Sequence, residues 1–155
     1  MIIRKFERED IAQILELCRE VRQIHIDLLE GYFTEQDDDI EQQFFLETLE
    51  NDNVVSLVAE DNDKVVGYIL GDFKDLPYLI NSKIAHVSNF GVSKNYRSQG
   101  IGKQLMDAFF NVCKERKIDE IRLGVYNINT VAYRFYENYG FKPLEQKMVI
   151  DLNKK

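Results

Sequence analysis

The residues best arranged for chemistry lie in the stretch Val92-Ser93-Lys94-Asn95-Tyr96-Arg97-Ser98-Gln99-Gly100-Ile101-Gly102-Lys103. A strand-like run ends at Val92, a turn with two glycines follows, and apolar residues then recur at helical spacing. A helix that begins there leaves its first N–H groups without intrahelical partners. Together with the positive end of the helix dipole, those groups form an anion site. Gly100 and Gly102 allow the main chain to approach a ligand without interference from Cβ atoms. Arg97 and Lys103 add positive charge in a chain whose formal charge is −7. Two other phosphate loops do not fit. A Walker loop needs glycine where Arg97 stands and serine or threonine where Gln104 stands. A dinucleotide fingerprint starting at Gly100 needs glycine or alanine where Leu105 stands. The plain alternative is a glycine-rich turn that holds nothing.

The elements that must position this turn follow from periodicity. Ile2 to Phe6 reads as a short strand, and Asp10 as the cap of a helix carrying Ile11, Ile14, Leu15, Cys18 and Val21, with Gly31 marking a stop. Glu35 to Asp39 reads as an acidic loop, and Ile40, Phe44, Thr48 and Leu49 as a second helix. Val54–Glu60 and Lys64–Phe73 form a predicted hairpin through the turn Asp61-Asn62-Asp63. Ile84–Val92 is a further strand, in which Gly91 marks a bulge or a close backbone approach. Ile101, Leu105, Phe109 and Val112 lie on one helical face. A strand over Ile121–Val125, a short helix over Ala132–Tyr139 stopped by Gly140, and a last strand through Met148, Ile150 and Leu152 complete the order β-α-α-β-β-β-α-β-α-β.

The 155 residues fit one domain, 1–155, with 45% hydrophobic and 30% charged residues. A pI near 4.9 disfavours nucleic acid as a partner. Cys18 and Cys113 lie on apolar helical stripes and read as buried thiols of a reducing compartment. His25 and His86 form no ligand motif, and no spacing suggests a metal. The N-terminus lacks the apolar core of a signal peptide and no run reaches membrane-spanning length, so a soluble, cytoplasmic protein is expected.

The segment Arg97-x-x-Gly100-x-Gly102 resembles the acetyl-CoA signature of the GNAT acetyltransferases. Downstream, Asn129-Thr130-Val131-Ala132-Tyr133-Arg134-Phe135-Tyr136-Glu137-Asn138-Tyr139-Gly140-Phe141 is similar to the family block Asn-x-x-Ala-x-x-x-Tyr-x-x-x-Gly-Phe. The resemblance is specific from Ile84 to Phe141 and weak before Val54. It implies an α/β (α+β) GNAT fold: a mixed central sheet of about six or seven strands flanked by about four helices, with strands splayed at the acetyl-CoA site. It also implies an acetyl-CoA-dependent N-acetyltransferase that uses acetyl-CoA as co-substrate and needs no metal.

The resemblance assigns roles residue by residue. Arg97, Ser98, Gln99, Gly100, Ile101, Gly102 and Lys103 would hold the cofactor pyrophosphate. The backbone of Phe90, Gly91 and Val92 would pair with the pantetheine arm as an added strand does. Asn129 would contact that arm or a nearby water, or else serve only as a helix N-cap. Tyr136 would sit by the cofactor sulfur and protonate the leaving thiolate, a task a neutral phenol can perform; its alternative is core packing on the Ala132/Phe135/Tyr139 stripe. Many relatives carry a carboxylate base on the strand before the loop, and Ile84-Ala85-His86-Val87-Ser88-Asn89-Phe90 has none. His86 is the candidate that remains on this strand, since an imidazole accepts a proton near neutrality; it could equally be structural. Base function through a water, or from the first helices, stays open.

The acceptor amine should meet His25–Asp39 and Asp72–Tyr78, where Asp27, Glu30, Tyr32, Phe33, Glu35, Asp37, Asp38 and Asp39 could attract a cationic amine or merely form a solvated acidic loop. Small amines such as a polyamine or an aminoglycoside, and a protein or peptide amine, all fit. The rival reading is a non-catalytic acetyl-CoA-binding sensor module of the same fold. Relatives are often dimers, so a homodimer is compatible with the resemblance, although no interface signature is legible.

Overall fold

The computed structural model describes residues 1–34 and 36–153. These residues group into two compact units, Met1–Gly124 and Val125–Lys155.

The first unit is built on a five-stranded mixed sheet in sequential order: β1 (Ile2–Lys5), β2 (Val54–Asp61), β3 (Lys64–Asp75), β4 (Lys83–Val92) and β5 (Glu120–Leu123). The first four strands pair antiparallel and β5 joins β4 in parallel. Asn62 and Asp63 both take positive φ, at 50° and 60°, which is the two-residue turn the hairpin requires. Helices α1 (Ile11–Leu28) and α2 (Asp38–Leu49) cover one face of the sheet, where Phe6, Ile14, Leu15, Phe45, Tyr68 and Leu70 share a buried core. Helix α3 (Ile101–Glu115) covers the other face through Ile101, Leu105, Met106 and Phe109. Gly67 and Gly71 make room for it, since a Cβ on either would run into Leu105 or Phe109.

Two expectations change in this unit, and the alternative left open at Gly91 is decided. Asp10 does not cap α1 with its side chain; its carboxylate accepts from Arg4 Nη1 at 2.7 Å, Arg4 Nη2 at 2.8 Å and the Glu7 N–H at 2.8 Å, closing a 3-10 turn over Arg8–Asp10. Asp38 and Asp39 belong to the first turn of α2 rather than to a loop, because Asp37 caps that helix by accepting from the Asp39 N–H and acidic residues favour a helix start. Glu35 lies outside the described residues. In β4 the register shifts at Ser88, not at Gly91. Gly91 is a close approach instead: a Cβ there would come within 2.6 Å of Val21 and 2.9 Å of Tyr68.

The second unit contains α4 (Thr130–Tyr139), closed by Gly140 at φ 107°. The last strand expected at Met148, Ile150 and Leu152 does not form among the described residues, and these side chains are exposed. Alternation marks a strand only where a neighbour supplies ladder partners, and none of the described strands pairs with this segment. The sheet therefore has five strands among the described residues, not six or seven.

Candidate active site

The glycine turn forms as its sequence dictates. After Val92 the chain makes a 3-10 turn over Lys94–Tyr96; Ser98 and Gly100 then adopt left-handed φ of 62° and 80°. Gly100 is the N-cap of α3, and its carbonyl accepts from the Gln104 N–H at 3.1 Å, so Ile101, Gly102 and Lys103 contribute N–H groups that start no helical bond. Apart from its chain neighbours, no atom of the described residues lies within 4 Å of where a Cβ on Gly100 would be, which leaves open space beside this residue. Ile101 is buried and anchors the turn to the core. Gln99 donates to the Asn95 carbonyl at 3.0 Å, and Lys103 pairs with Asp107 at 2.8 Å.

An acid that sequence reading missed braces this turn. Glu20, on α1, accepts from the Lys94 N–H at 2.7 Å and the Ser93 hydroxyl at 3.2 Å. It also lies 3.8 Å from the Arg97 guanidinium, whose Nε donates to the Val92 carbonyl at 2.9 Å. Arg97 is thus partly a brace for the strand end as well as a source of charge. Glu20 sits 73 and 74 positions from its partners, so no local pattern could reveal it.

The strand before the turn is splayed. On one side β4 pairs with β3 as far as Gly67↔Val92, with Phe90 opposite Ile69 and Gly91 opposite Tyr68. On the other side its pairing with β5 covers only Ile84↔Glu120 to Val87↔Leu123. Among the described residues no strand flanks 88–92 on that side, which leaves an edge suited to an extended, amide-bearing chain.

A cleft of about 190 Å³ opens on the α1/α2 face of the sheet. Its polar lining includes Arg22, His25, Glu41, Tyr68 and Asn89. Glu41 is buried and bonded to Arg22. His25 stacks on Phe33 at 5.8 Å, and burial holds its pKa below the usual imidazole value, so the ring is neutral at pH 7. Within this lining the Cys18 thiol donates to the Tyr68 hydroxyl at 3.1 Å, and that hydroxyl donates to Asn89 Oδ1 at 2.9 Å. Of the segments expected to meet an acceptor, His25, Phe33, Thr34 and Gln36 line this cleft and Asp72–Tyr78 does not. The expected acidic wall is partly neutralised, since Asp38 is bridged to Arg19 at 2.5 Å.

His86 does not line the cleft but lies on the same sheet face. It pairs in register with Asp72, and its Nδ1 is 3.5 Å from that carboxylate. The extra residue Ser88 is what puts His86 and Asn89, three positions apart, on one face, because each unpaired residue reverses the alternation of a strand.

In the second unit Asn129 caps α4, its Oδ1 accepting from the Ala132 N–H at 3.2 Å. This leaves its amide nitrogen outside the cap bond. Tyr136 makes edge contacts with Phe135 and Phe141 at 5.5 and 5.9 Å, and burial pushes its phenol up to about 12. The phenol is therefore protonated at neutral pH and able to donate. Among the described residues no cluster of His, Cys, Asp and Glu suits a metal, and no helix is long and apolar enough to cross a membrane.

Comparison with known proteins gives a consistent result. The profile described as acetyltransferase (GNAT) family matches residues 15–141. An N-alpha-acetyltransferase of Sulfurisphaera tokodaii is 34% identical over 110 residues, which is 66% of this chain and 65% of that protein. The chain spans 56% to 65% of the lengths of three N-alpha-acetyltransferases that it matches. Among solved structures, a tetramutant of the BH1408 protein from Bacillus halodurans superposes with a TM-score of 0.90 at 25% identity, over 98% of this chain and 100% of that one. A predicted acetyltransferase from Clostridium acetobutylicum, crystallised with acetyl-CoA, superposes with a TM-score of 0.77 at 24% identity, over 99% and 97% of the two chains.

Proposed function

The chain belongs to the acetyltransferase (GNAT) family, and from that premise we propose that it transfers the acetyl group of acetyl-CoA to a primary amine, with the α-amine of a peptide or amino acid as the favoured class. The observation that carries the reading is the turn at Gly100. The helix-start N–H groups of α3, a left-handed glycine and the open space beside it stand at the end of a strand that β5 accompanies only as far as Val87. A pyrophosphate fits that cradle, as Cβ-free backbone and the helix dipole both favour a doubly charged group. The preference for an α-amine is supported by the S. tokodaii relative, which is named for that chemistry.

Acetyl-CoA supplies an activated acetyl thioester. The N–H groups of Ile101, Gly102 and Lys103 hold its pyrophosphate, with the charge of Arg97 and Lys103 in support. The backbone of Phe90, Gly91 and Val92 aligns the pantetheine arm, and a backbone N–H of this stretch faces the developing oxyanion. By family resemblance the Asn129 amide nitrogen would contact the arm, while its oxygen caps α4. The acceptor binds in the cleft between α1, α2 and the sheet. His86, oriented by Asp72 on the same sheet face but outside the cleft lining, takes a proton from the ammonium through a relaying water so that the amine can attack. As the C–N bond forms and the C–S bond breaks, Tyr136 gives its proton to the leaving sulfur.

The experiment is CoA thiol release from acetyl-CoA across a panel of peptides, amino acids, polyamines and aminoglycosides. Amine-dependent release, fastest with peptide or amino-acid amines, is expected. Tight acetyl-CoA binding without release for any amine would instead establish the sensor reading, which the absence of a carboxylate on β4 favours.

A further inference from the structure

We propose that Asn89 orients the acceptor by donating its side-chain N–H to a carbonyl oxygen carried next to the amine, and that Tyr68 and Cys18 are positioning residues that hold Asn89 in this orientation. The proposal rests on the reading of the chain as an N-acetyltransferase and names the part of the acceptor that the cleft reads.

The argument begins with a phenol inside a hydrocarbon core. The Tyr68 ring is wholly buried among apolar side chains, so its hydroxyl must find partners or incur a desolvation penalty. It has one hydrogen to give. The Cys18 thiol donates to its oxygen at 3.1 Å, and the phenolic hydrogen therefore goes to Asn89 Oδ1 at 2.9 Å. Burial lifts the thiol to about 12 and the phenol well above its usual value, so both hydrogens are retained at physiological pH.

A primary amide has one accepting end and one donating end. With Oδ1 taken from the core side, Nδ2 is the end left for the cleft, and among the described residues it has no hydrogen-bond partner. On the floor and helix walls of the cleft the other polar groups are differently committed: Glu41 is bonded to Arg22, and His25 is neutral and stacked on Phe33, while Thr34 and Gln36 line the cleft from the segment between α1 and α2. A neutral N–H donor matches a neutral carbonyl oxygen, as in an α-amino amide, and gives nothing to a simple alkylamine. Gly91 stiffens the arrangement, since Val21 and Tyr68 occupy the space of its absent side chain. Asn89 immediately precedes Phe90, Gly91 and Val92, and a strand advances only about 3.3 Å per residue. An acceptor held at Asn89 is thus close to the backbone proposed to align the thioester.

The test compares alaninamide with isopropylamine, the same branched amine without the carbonyl, for the wild type, Asn89→Asp and Tyr68→Phe. Asn89→Asp still accepts from Tyr68 but replaces the donor with an oxygen. Each variant is read against the wild type for each acceptor separately, so the different basicities of the amines cancel. The KM for alaninamide should rise about tenfold in Asn89→Asp, the value of one hydrogen bond, and about threefold in Tyr68→Phe, with KM for isopropylamine and acetyl-CoA not raised. A parallel rise for both amines would make these residues merely structural and overturn the proposal. The side-chain 15N–1H resonances of Asn89 give a readout independent of turnover: they should move on addition of alaninamide and stay with isopropylamine, and equal shifts would also overturn it. A chain that releases no CoA with any amine defeats the proposed activity alone, and the resonances still decide the role of Asn89.

Discussion

The glycine turn at the start of α3 and the cleft beneath α1 and α2 are built from different materials. The turn presents main chain: N–H groups made available by a helix start, with Gly100 free of side-chain atoms and open space above it. The cleft presents side chains, several of them held by another: Glu41 by Arg22, and Asn89 by Tyr68, which Cys18 holds in turn. Backbone recognition suits a ligand that never changes, since it depends on conformation more than on residue type. Side-chain recognition suits a ligand that differs between relatives. The comparison predicts that damage to the turn appears in cofactor affinity and damage to the cleft in amine selectivity.

The largest expected effect breaks the first region. Gly100→Val places a branched side chain in the open space at a φ of 80° and should weaken CoA binding on the order of a hundredfold by calorimetry, with the cleft intact. Unchanged affinity would remove the turn from the site. Tyr136→Phe should lower kcat by roughly tenfold or more and leave CoA affinity alone, separating chemistry from both binding regions. An undiminished rate would return this residue to packing. Because burial raises the phenol to about 12, it keeps its proton through pH 10, and kcat should stay level there; a fall centred near pH 10 that Tyr136→Phe abolishes would contradict the assignment. A smaller change is expected from His86→Ala, which should lower kcat about fivefold while KM for acetyl-CoA holds. An undiminished kcat would leave the base to a water or to another residue. The smallest effect sharpens the contrast: Glu20→Ala removes the bonds to Lys94 N–H and Ser93, and should cost about threefold in CoA affinity with no change in KM for the amine.

Legibility followed the same division. The turn could be read because its determinants are contiguous and its glycines are required by conformation, and the hairpin at Asn62-Asp63 was readable for the same reason. The cleft could not, because its contacts join residues 50, 21 and 19 positions apart. Tyr68 reads as one more large residue in an apolar strand, and nothing local announces the bulge at Ser88 that turns His86 and Asn89 to one side. The acidic stretch was read as a unit, whereas α1 contributes arginines that take up Asp38 and Glu41. The last strand failed for a related reason: alternation at Met148, Ile150 and Leu152 is a property of the segment, and a ladder is a property of two.

Helix α1 touches both regions within a span of five residues, with Cys18 and Arg22 in the cleft and Glu20 against the turn. A substitution that tilts this rod registers at both ends at once. Helix α2 reaches the cleft through Glu41, and among the described residues none of its side chains bonds to the turn. Divergence toward a new acceptor is therefore cheapest through α2, where the lining can be exchanged while the grip on the cofactor is inherited intact.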